Sequence, residues 1–453
     1  MSCPERSTLE EEVIAKLRPS KTQLAVISRF YSLLREKLAS CLERRGLKAR
    51  IEVEGSYAKG TMLSDKWEID VFVLFKDVND DWIMSESENI LIECLKPLPL
   101  TVKYSQHPYV TVHLLGLEAD IVPALWLDKP RPKGMGVERT PFHRIYVTEK
   151  IDQCLADDVR LLKSFLKGIG VYGAETWTGG FSGYLAELLI IWSGGFRSLI
   201  NAMSRWKPTV YIDIEGVGDK EKLAGKYRDS PLIVVDPIDP ERNAAAAVTV
   251  RSLATAITAA KLYKMKPSKA FFHIYKAPTL AARDLHVVVV ECRGSYWLAP
   301  PQDIEGRLRR LETSLHNTLH REGFSVVKAG SMWDKWSRIA VYIVLESLHR
   351  PRLEVIRGPL AWMDERDIMR FVSKRLVRGE HVWIGSDGRL YGLKYRRYTS
   401  ALGVVRDWLD KAPLPLGTSG CRVVACPGIG CTGWLERVAQ HGLGLTPAWM
   451  LGI

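Results

Sequence analysis

The chain has 453 residues, which at roughly 150 residues per domain corresponds to about three domains, each long enough to bury its own core. Its composition is 46% hydrophobic and 26% charged, ordinary for a globular protein, and this excludes wholesale disorder and a disulfide mini-scaffold. Lys plus Arg number 64 against 52 for Asp plus Glu, a net charge of +12, which is the balance of a protein that handles polyanions. Nucleic acid or nucleotide is therefore the first partner class.

The opening residues carry Glu5, Glu10, Glu11 and Glu12 with no apolar segment behind a basic start, so no secretory signal is read there. No run of 18 apolar residues occurs, the densest being 184–192 and 286–290. That pattern predicts no membrane span and a cytoplasmic location. Eight cysteines are sparse for this length, and Cys3, Cys41, Cys94, Cys154 and Cys292 stand alone in the sequence. They are expected to be small buried apolar residues rather than a disulfide framework. Cys421, Cys426 and Cys431 are evenly spaced, but there is no CxxC and His441 is the only later nitrogen ligand, so a zinc site is not expected.

Ser7-Thr8-Leu9-Glu10 is a capping-box pattern that opens a helix, and Ile27, Tyr31, Leu34, Leu38 and Cys41 recur at helical spacing until Gly46. Short alternating or apolar runs follow at 50–54, 69–75, 110–115 and 117–122, separated by Gly, Pro, Asn and Asp, and these predict a sheet. Leu155, Val159, Leu162 and Leu166 lie on one face of a helix over 152–167, and 181–192 reads as a buried helix. A long Ala-rich helix is expected over 242–265. Beyond Pro267, strands at 285–292, 341–345 and 381–395 alternate with helices at 305–321 and 364–377. The expected architecture is α+β and multidomain: a palm-like mixed sheet with helices over 1–150, a mainly helical unit over 151–268, and an α+β body and tail over 269–453, with the tail near 326–384.

The most informative segment is Glu54-Gly55-Ser56-Tyr57-Ala58-Lys59-Gly60-Thr61, followed by Glu68-Ile69-Asp70-Val71-Phe72-Val73-Leu74-Phe75. Side chains alternate along a strand, so Glu68 and Asp70 point the same way, roughly 6 to 7 Å apart, on the face that also carries Phe72 and Leu74. Two acids over an apolar layer repel each other and lose hydration unless a cation such as Mg²⁺ neutralises them. Gly55-Ser56 offers a backbone that can approach a phosphate, and Lys59 supplies a nearby cation. Asp120, on a second short strand after Gly116, is a third acid. Glu68, Asp70 and Asp120 together would hold two Mg²⁺ ions, one to lower the pKa of an attacking hydroxyl and one to cradle a triphosphate and its leaving pyrophosphate.

Gly-Ser, about ten residues, then an acid-x-Asp and a third acid on a later strand resembles the nucleotidyltransferase superfamily. The wording is closer still: 55–59 with 68–72, Thr140-Pro141-Phe142-His143, Val159 to Lys163, Val171 to Glu175, Gly180 to Tyr184, and Asp236-Pro237 through Arg242-Asn243 resemble, in order, the archaeal-type (class I) CCA-adding enzymes. The resemblance covers most of 50–250 and is weaker beyond 270. It implies that Glu68, Asp70 and Asp120 bind metal and that Gly55, Ser56 and Lys59 lie at the triphosphate of ATP or CTP. It further implies that His143, Lys163 and Tyr172 contact the nucleotide and that Arg242 meets the base edge. Lys59 stands where the family usually has Arg, a point charge in place of a bidentate fork. The implied substrates are CTP, ATP and a tRNA lacking all or part of its 3′ CCA; a homodimer is a candidate assembly. On residues alone, the neighbouring Lys163 and Lys167 form a like-charge pair that would favour an anion, whereas His143 could sit in a loop and Arg242 could start a helix.

Arg307, Arg309 and Arg310, then Lys374, Arg375 and Arg378, then Lys394-Tyr395-Arg396-Arg397-Tyr398 are candidates for RNA backbone contacts and stacking. Two other readings stand beside template-independent CCA addition: a polymerase that tails RNA with A or U, and a non-catalytic RNA-binding scaffold.

Overall fold

The computed structural model describes residues 5–104, 108–131, 136–175, 178–275, 280–282, 284–299 and 301–451, and the chain divides into two compact units, 1–278 with 447–453, and 279–446.

In the first unit, helix α1 (Thr8–Leu17) opens at the expected capping box: Glu10 N–H donates to Ser7 Oγ at 3.3 Å and Ser7 N–H to Glu10 Oε2 at 2.7 Å. Ser20 caps α2 (Lys21–Arg44), which buries Ile27, Phe30, Leu34 and Leu38. Strand β1 (Ala49–Glu54) runs into a single helical turn α3 (Gly55–Ala58) and is followed by β2 (Glu68–Phe75), α4 (Asp80–Ser85) and α5 (Ser87–Leu95). With β3 (Leu100–Tyr104), β4 (Pro108–Leu114) and β5 (Leu117–Leu125) the sheet order is β1-β2-β5-β4-β3; β2 and β5 are parallel and the other pairs antiparallel. Ile69, Val71, Val73 and Phe75 share a core with α2 and α5, while Phe72, Leu74, Val122 and Ala124 form a second cluster on the other face. Both central strands are thus apolar on two sides, leaving polar residues only at their starts.

A second core is built by α6 (Thr140–Lys150), α7 (Gln153–Gly168), α8 (Gly183–Ser193) and α9 (Phe196–Met203), joined by a small sheet of β6 (Val210–Ile212), β7 (Leu232–Asp236) and β8 (Asp239–Asn243), with α10 (Lys220–Lys226) and α11 (Val250–Met265). α1 packs into this core through Val13, Ile14 and Leu17. The Ala-rich helix is shorter than its composition predicts. Residues 242–249 are strand and turn because buried Asn243 accepts from the Val234 and Ala245 N–H groups and donates to Leu232 O, fastening a hairpin, and Thr249 then caps α11. His143 lies in α6 rather than in a loop, since Pro141 occupies a first-turn position where no N–H is needed.

The second unit starts with β9 (Leu280–Ala281) and centres on β10 (His286–Gly294). After α12 (Pro301–Arg321) come β11 (Val326–Trp333), β12 (Arg338–Leu345), β13 (Leu353–Leu360), α13 (Glu365–Leu376), β14 (Val382–Ile384), β15 (Arg389–Tyr395), α14 (Ala401–Leu409), β16 (Thr418–Cys426), α15 (Trp434–Leu443) and β17 (Gly444–Thr446). The main sheet is β11-β12-β10-β16, with α12 and α14 on one face and α15 on the other; β13-β15-β14 is a separate small sheet beside α13. The last helix, α16 (Ala448–Leu451), belongs to the first unit, where Trp449 packs on Phe271. Among the described residues no helix is long and apolar enough to cross a membrane.

The cysteines depart from the expectation of isolated thiols. Cys41 pairs with Cys94, Cys292 with Cys421, and Cys426 with Cys431; Cys154 is also disulfide-bonded, and Cys3 lies outside the described residues. Spacing along the chain hid these pairs because two of them join residues 53 and 129 apart. Cys292 and Cys421 face each other across β10 and β16. The even spacing of Cys421, Cys426 and Cys431 therefore serves two different bonds. In the chain-entropy account, closing the 53-residue loop between Cys41 and Cys94 is worth about 4 kcal/mol. Cys41→Ser with Cys94→Ser is expected to lower the thermal midpoint by several degrees, measured by circular dichroism without reductant.

Candidate active site

β2 and β5 run in register with Asp70 opposite Asp120 and Glu68 opposite Glu118. Parallel neighbours lie about 4.8 Å apart, so four carboxylates share one face at the start of the two central strands. Asp70 is pushed up to about 6 by burial, then by the charges of Asp120 and Glu68. That repulsion, from an all-oxygen donor set, is what a hard divalent cation relieves. As they stand the carboxylates do not converge on one point: Glu68 pairs with Lys66, while Asp120 accepts from Thr111 Oγ1 at 2.5 Å and has Lys103 at 3.7 Å. Among the described residues no three acids, histidines or cysteines enclose a metal-sized space. Closing on an ion requires Glu68 and Asp120 to turn from these partners.

The turn between β1 and α3 is fitted to Asp70. Gly55 has φ +67, and a Cβ there would stand 1.9 Å from Asp70 Oδ2. A side chain at this position would both strain the backbone and displace the carboxylate. Residues 60–62 after α3 are clamped by α7: Arg160 donates to Gly60 O at 2.5 Å and Met62 O at 2.9 Å. Lys163, buried, donates to Thr61 Oγ1 at 3.0 Å and Glu187 Oε1 at 3.1 Å. Lys59 reaches the same Glu187 at 2.5 Å. Burial would raise the Glu187 carboxyl, but Lys163 and Lys59 outweigh it and hold the group ionised below its usual range. Two ammoniums on one carboxylate leave a net positive charge, which suits an anionic phosphate. The partner that produces this excess is Lys59, and the predicted pairing of Lys163 with Lys167 is corrected: Lys167 is neutralised by Asp65 at 2.6 Å. Tyr172 lies beside Lys163, since a Cβ on Gly183 would be 3.0 Å from Tyr172 Oη and 3.7 Å from Lys163 Cε. Ser56, in α3, lies between Gly55 and Lys59 and lends its carbonyl to Thr61 N–H at 2.9 Å.

His143 and Arg242, a hundred residues apart, meet on Asp236 at 3.0 and 2.6 Å. Tyr184 donates to the same carboxylate at 3.0 Å and stacks on His143 with ring centroids 4.0 Å apart. Burial pulls the His143 imidazole down against the attraction of Asp236. The neutral ring then donates Nε2–H to Asp236 and keeps Nδ1 as an acceptor, which suits a substrate hydroxyl or amino group better than a phosphate oxygen.

All ten predicted residues lie in the first unit, arranged around three acidic centres: the β2–β5 carboxylates, Glu187 and Asp236. Sequence reasoning did not single out Glu187 or Tyr184, three residues apart on α8, nor Asp236 as more than part of a motif. The signal available was an acid inside the apolar run 184–192, which a buried helix carries only with cationic partners. In the second unit Arg375 lies over the Phe371 ring and Arg396 pairs with Glu354, so these two are held by the protein, whereas Arg310, Lys374, Arg378, Lys394 and Arg397 are exposed.

A palm sheet with paired acids behind a Gly-Ser turn defines the nucleotidyltransferase class, whose members work with divalent cations. Residues 35–150 match the family described as nucleotidyltransferase domain, 157–273 the second domain of tRNA nucleotidyltransferase, and 301–420 the C-terminal domain of the CCA-adding enzyme. The chain is 44% identical to the CCA-adding enzyme of Aeropyrum pernix over 98% of its own length and 95% of that protein's. It is 38% identical to that of Sulfurisphaera tokodaii over 86% and 89% respectively. A solved Cid1 poly(U) polymerase with bound Mg and 3′-dATP aligns at a TM-score of 0.46 and 15% identity, over 58% of this chain and 95% of that one. The chain belongs to the family of CCA-adding enzymes.

Glu54, facing Asp70 across β1 and β2, is fully buried with Oε2 unpartnered among the described residues. Burial pushes it up to about 7 despite its bond to Arg144. The folded state thus binds this proton more tightly than the unfolded chain, whose Glu titrates near 4.5. The stability from that proton is full below about 4.5 and is lost as pH rises through about 7. Between pH 5 and pH 8 the wild type is expected to lose about 1–3 kcal/mol relative to Glu54→Gln, read from urea midpoints.

Proposed function

We propose that this protein adds and repairs the 3′-terminal CCA of tRNA in the cytoplasm, using CTP and ATP without a nucleic-acid template and releasing pyrophosphate. The observation that carries the reading is the register of Asp70 against Asp120 with Glu68 one step earlier, beside a glycine turn shaped to Asp70, in a chain 44% identical to a CCA-adding enzyme. Residues 1–150 form the catalytic domain, 151–268 the nucleobase-recognising domain, and 269–453 the RNA-binding body and tail, the tail spanning about 326–384.

Glu68, Asp70 and Asp120 would hold two Mg²⁺ ions, which when bound lower the pKa of the primer's 3′ hydroxyl and neutralise the leaving pyrophosphate. Gly55 keeps Asp70 in place and, with Ser56, brings backbone and hydroxyl groups to the phosphates. Lys59 and Lys163, sharing Glu187, present one uncompensated positive charge to the triphosphate. Tyr172 packs beside Lys163 and contacts the nucleotide, and His143 accepts a hydrogen bond from it through Nδ1. Arg242 meets the base edge. The exposed arginines and lysines of the second unit contact the tRNA backbone.

Incubating the protein with Mg²⁺ and tRNA lacking its CCA, with CTP, ATP, GTP and UTP singly and together, is expected to give two C and then one A. Asp70→Ala should lower the rate by at least about a thousandfold while leaving tRNA binding intact. Open-ended addition of one nucleotide would reassign the protein to the tailing polymerases, and no addition with tRNA still bound would leave a scaffold. Binding of tRNA is expected to weaken steeply as salt is raised from 50 to 200 mM, measured by filter binding, and a flat response would remove the electrostatic contact surface.

A further inference from the structure

We infer that Asp236 is a positioning residue for base selection, locking the direction of the Arg242 guanidinium so that cytosine and adenine are accepted and uracil and guanine are not. The inference rests on the reading of Arg242 as the group that meets the base edge.

Asp236 ends β7 and is fully buried. Its Oδ2 accepts from Arg242 Nη1 at 2.6 Å and His143 Nε2 at 3.0 Å, and its Oδ1 from Tyr184 Oη at 3.0 Å and Ile238 N–H at 3.0 Å. Donors from α6, α8, β8 and the β7–β8 turn fix this carboxylate, so it cannot rotate to follow the arginine. Burial would raise its pKa, but His143 and Arg242 outweigh that and keep it ionised. Arg242 keeps 35% of its side chain exposed, so one N–H is tied while the rest of the fork remains open.

Cytosine and adenine share a ring nitrogen that accepts beside an amino group that donates. Uracil and guanine carry a ring N–H beside a carbonyl. A guanidinium has donors only. Held in one direction, it can serve the accepting ring nitrogen of C or A, and it faces donor against donor with U or G. Released, it can swing to the O4 of U or the O6 of G, and the discrimination disappears. The fixed carboxylate thus supplies the selectivity that an arginine alone lacks.

The test is single-nucleotide addition to tRNA lacking its CCA, comparing kcat/KM for CTP and UTP in wild type, Asp236→Asn, Tyr184→Phe and Arg242→Ala. Asp236→Asn is expected to lower the CTP-over-UTP ratio at least about tenfold, with tRNA affinity unchanged. A purely structural Asp236 would lower both nucleotides equally and leave the ratio as it was, which overturns the inference. If Asp236→Asn fails to fold by circular dichroism, Tyr184→Phe decides, because it keeps the charge and removes one donor that fixes it. A ratio lowered about threefold supports the inference, and an unchanged one sinks it. Arg242→Ala separates the two levels: an unchanged ratio there removes Arg242 as the base-reading group and the inference with it. A lowered ratio in Arg242→Ala beside an unchanged one in Asp236→Asn removes only the role of Asp236.

Discussion

Glu187 and Asp236 are carboxylates withdrawn from water, and neither could remain ionised there without cations brought to it. Glu187 is given two, Lys59 and Lys163, and Asp236 one, Arg242, beside the neutral donors His143 and Tyr184. These partners come from segments far apart in sequence, so satisfying two buried charges gathers Lys59, Lys163, His143 and Arg242 around them. Tyr184 joins the two centres, donating to Asp236 while Lys59 lies 5.6 Å above its ring. Breaking either centre would strand a charge in a low-dielectric interior, a cost of several kcal/mol. This makes the arrangement rigid as well as charged.

The same economy of contacts fastens the sheet to the helices around it. Arg144 and His143 are adjacent on α6; Arg144 holds Glu52 and Glu54 on β1 at 2.8 Å while His143 reaches Asp236. Arg160 and Lys163, on one side of α7, seize the carbonyls and hydroxyl of 60–62. The turn that shapes Gly55 to Asp70 is therefore fixed from both ends. Apolar packing decides where the helices lie, but polar contacts of 2.5 to 3.3 Å decide where the candidate site side chains point.

The third centre differs in kind. Glu68, Asp70 and Asp120 have no such supply of buried cations, and the repulsion among them is left to raise Asp70. Glu68 and Asp120 are partly exposed and hold exchangeable partners in Lys66, Thr111 and Lys103. A site proposed to bind metal transiently needs that freedom, whereas the residues around Glu187 and Asp236 are held by buried ion pairs.

Local order was legible where one physical rule acts over a few residues. The capping box at Ser7, the apolar strand over 69–75 and the amphipathic helix over 152–167 follow from periodicity and hydrogen-bonding chemistry alone, and the E-x-D spacing puts Glu68 and Asp70 on one face. The motifs also supplied every candidate site residue. Their partners were not legible. That Asp70 stands opposite Asp120, that Lys163 answers to Lys59 and not Lys167, and that Cys41 finds Cys94 all depend on chain segments that meet from roughly fifty to a hundred residues apart, and Arg242 leaves a strand because of a hairpin that Asn243 fastens. Spacing encodes which way a side chain points along its own element. Only packing in three dimensions decides what charge, thiol or ring it meets there, because those contacts are set by the burial of distant apolar faces against one another.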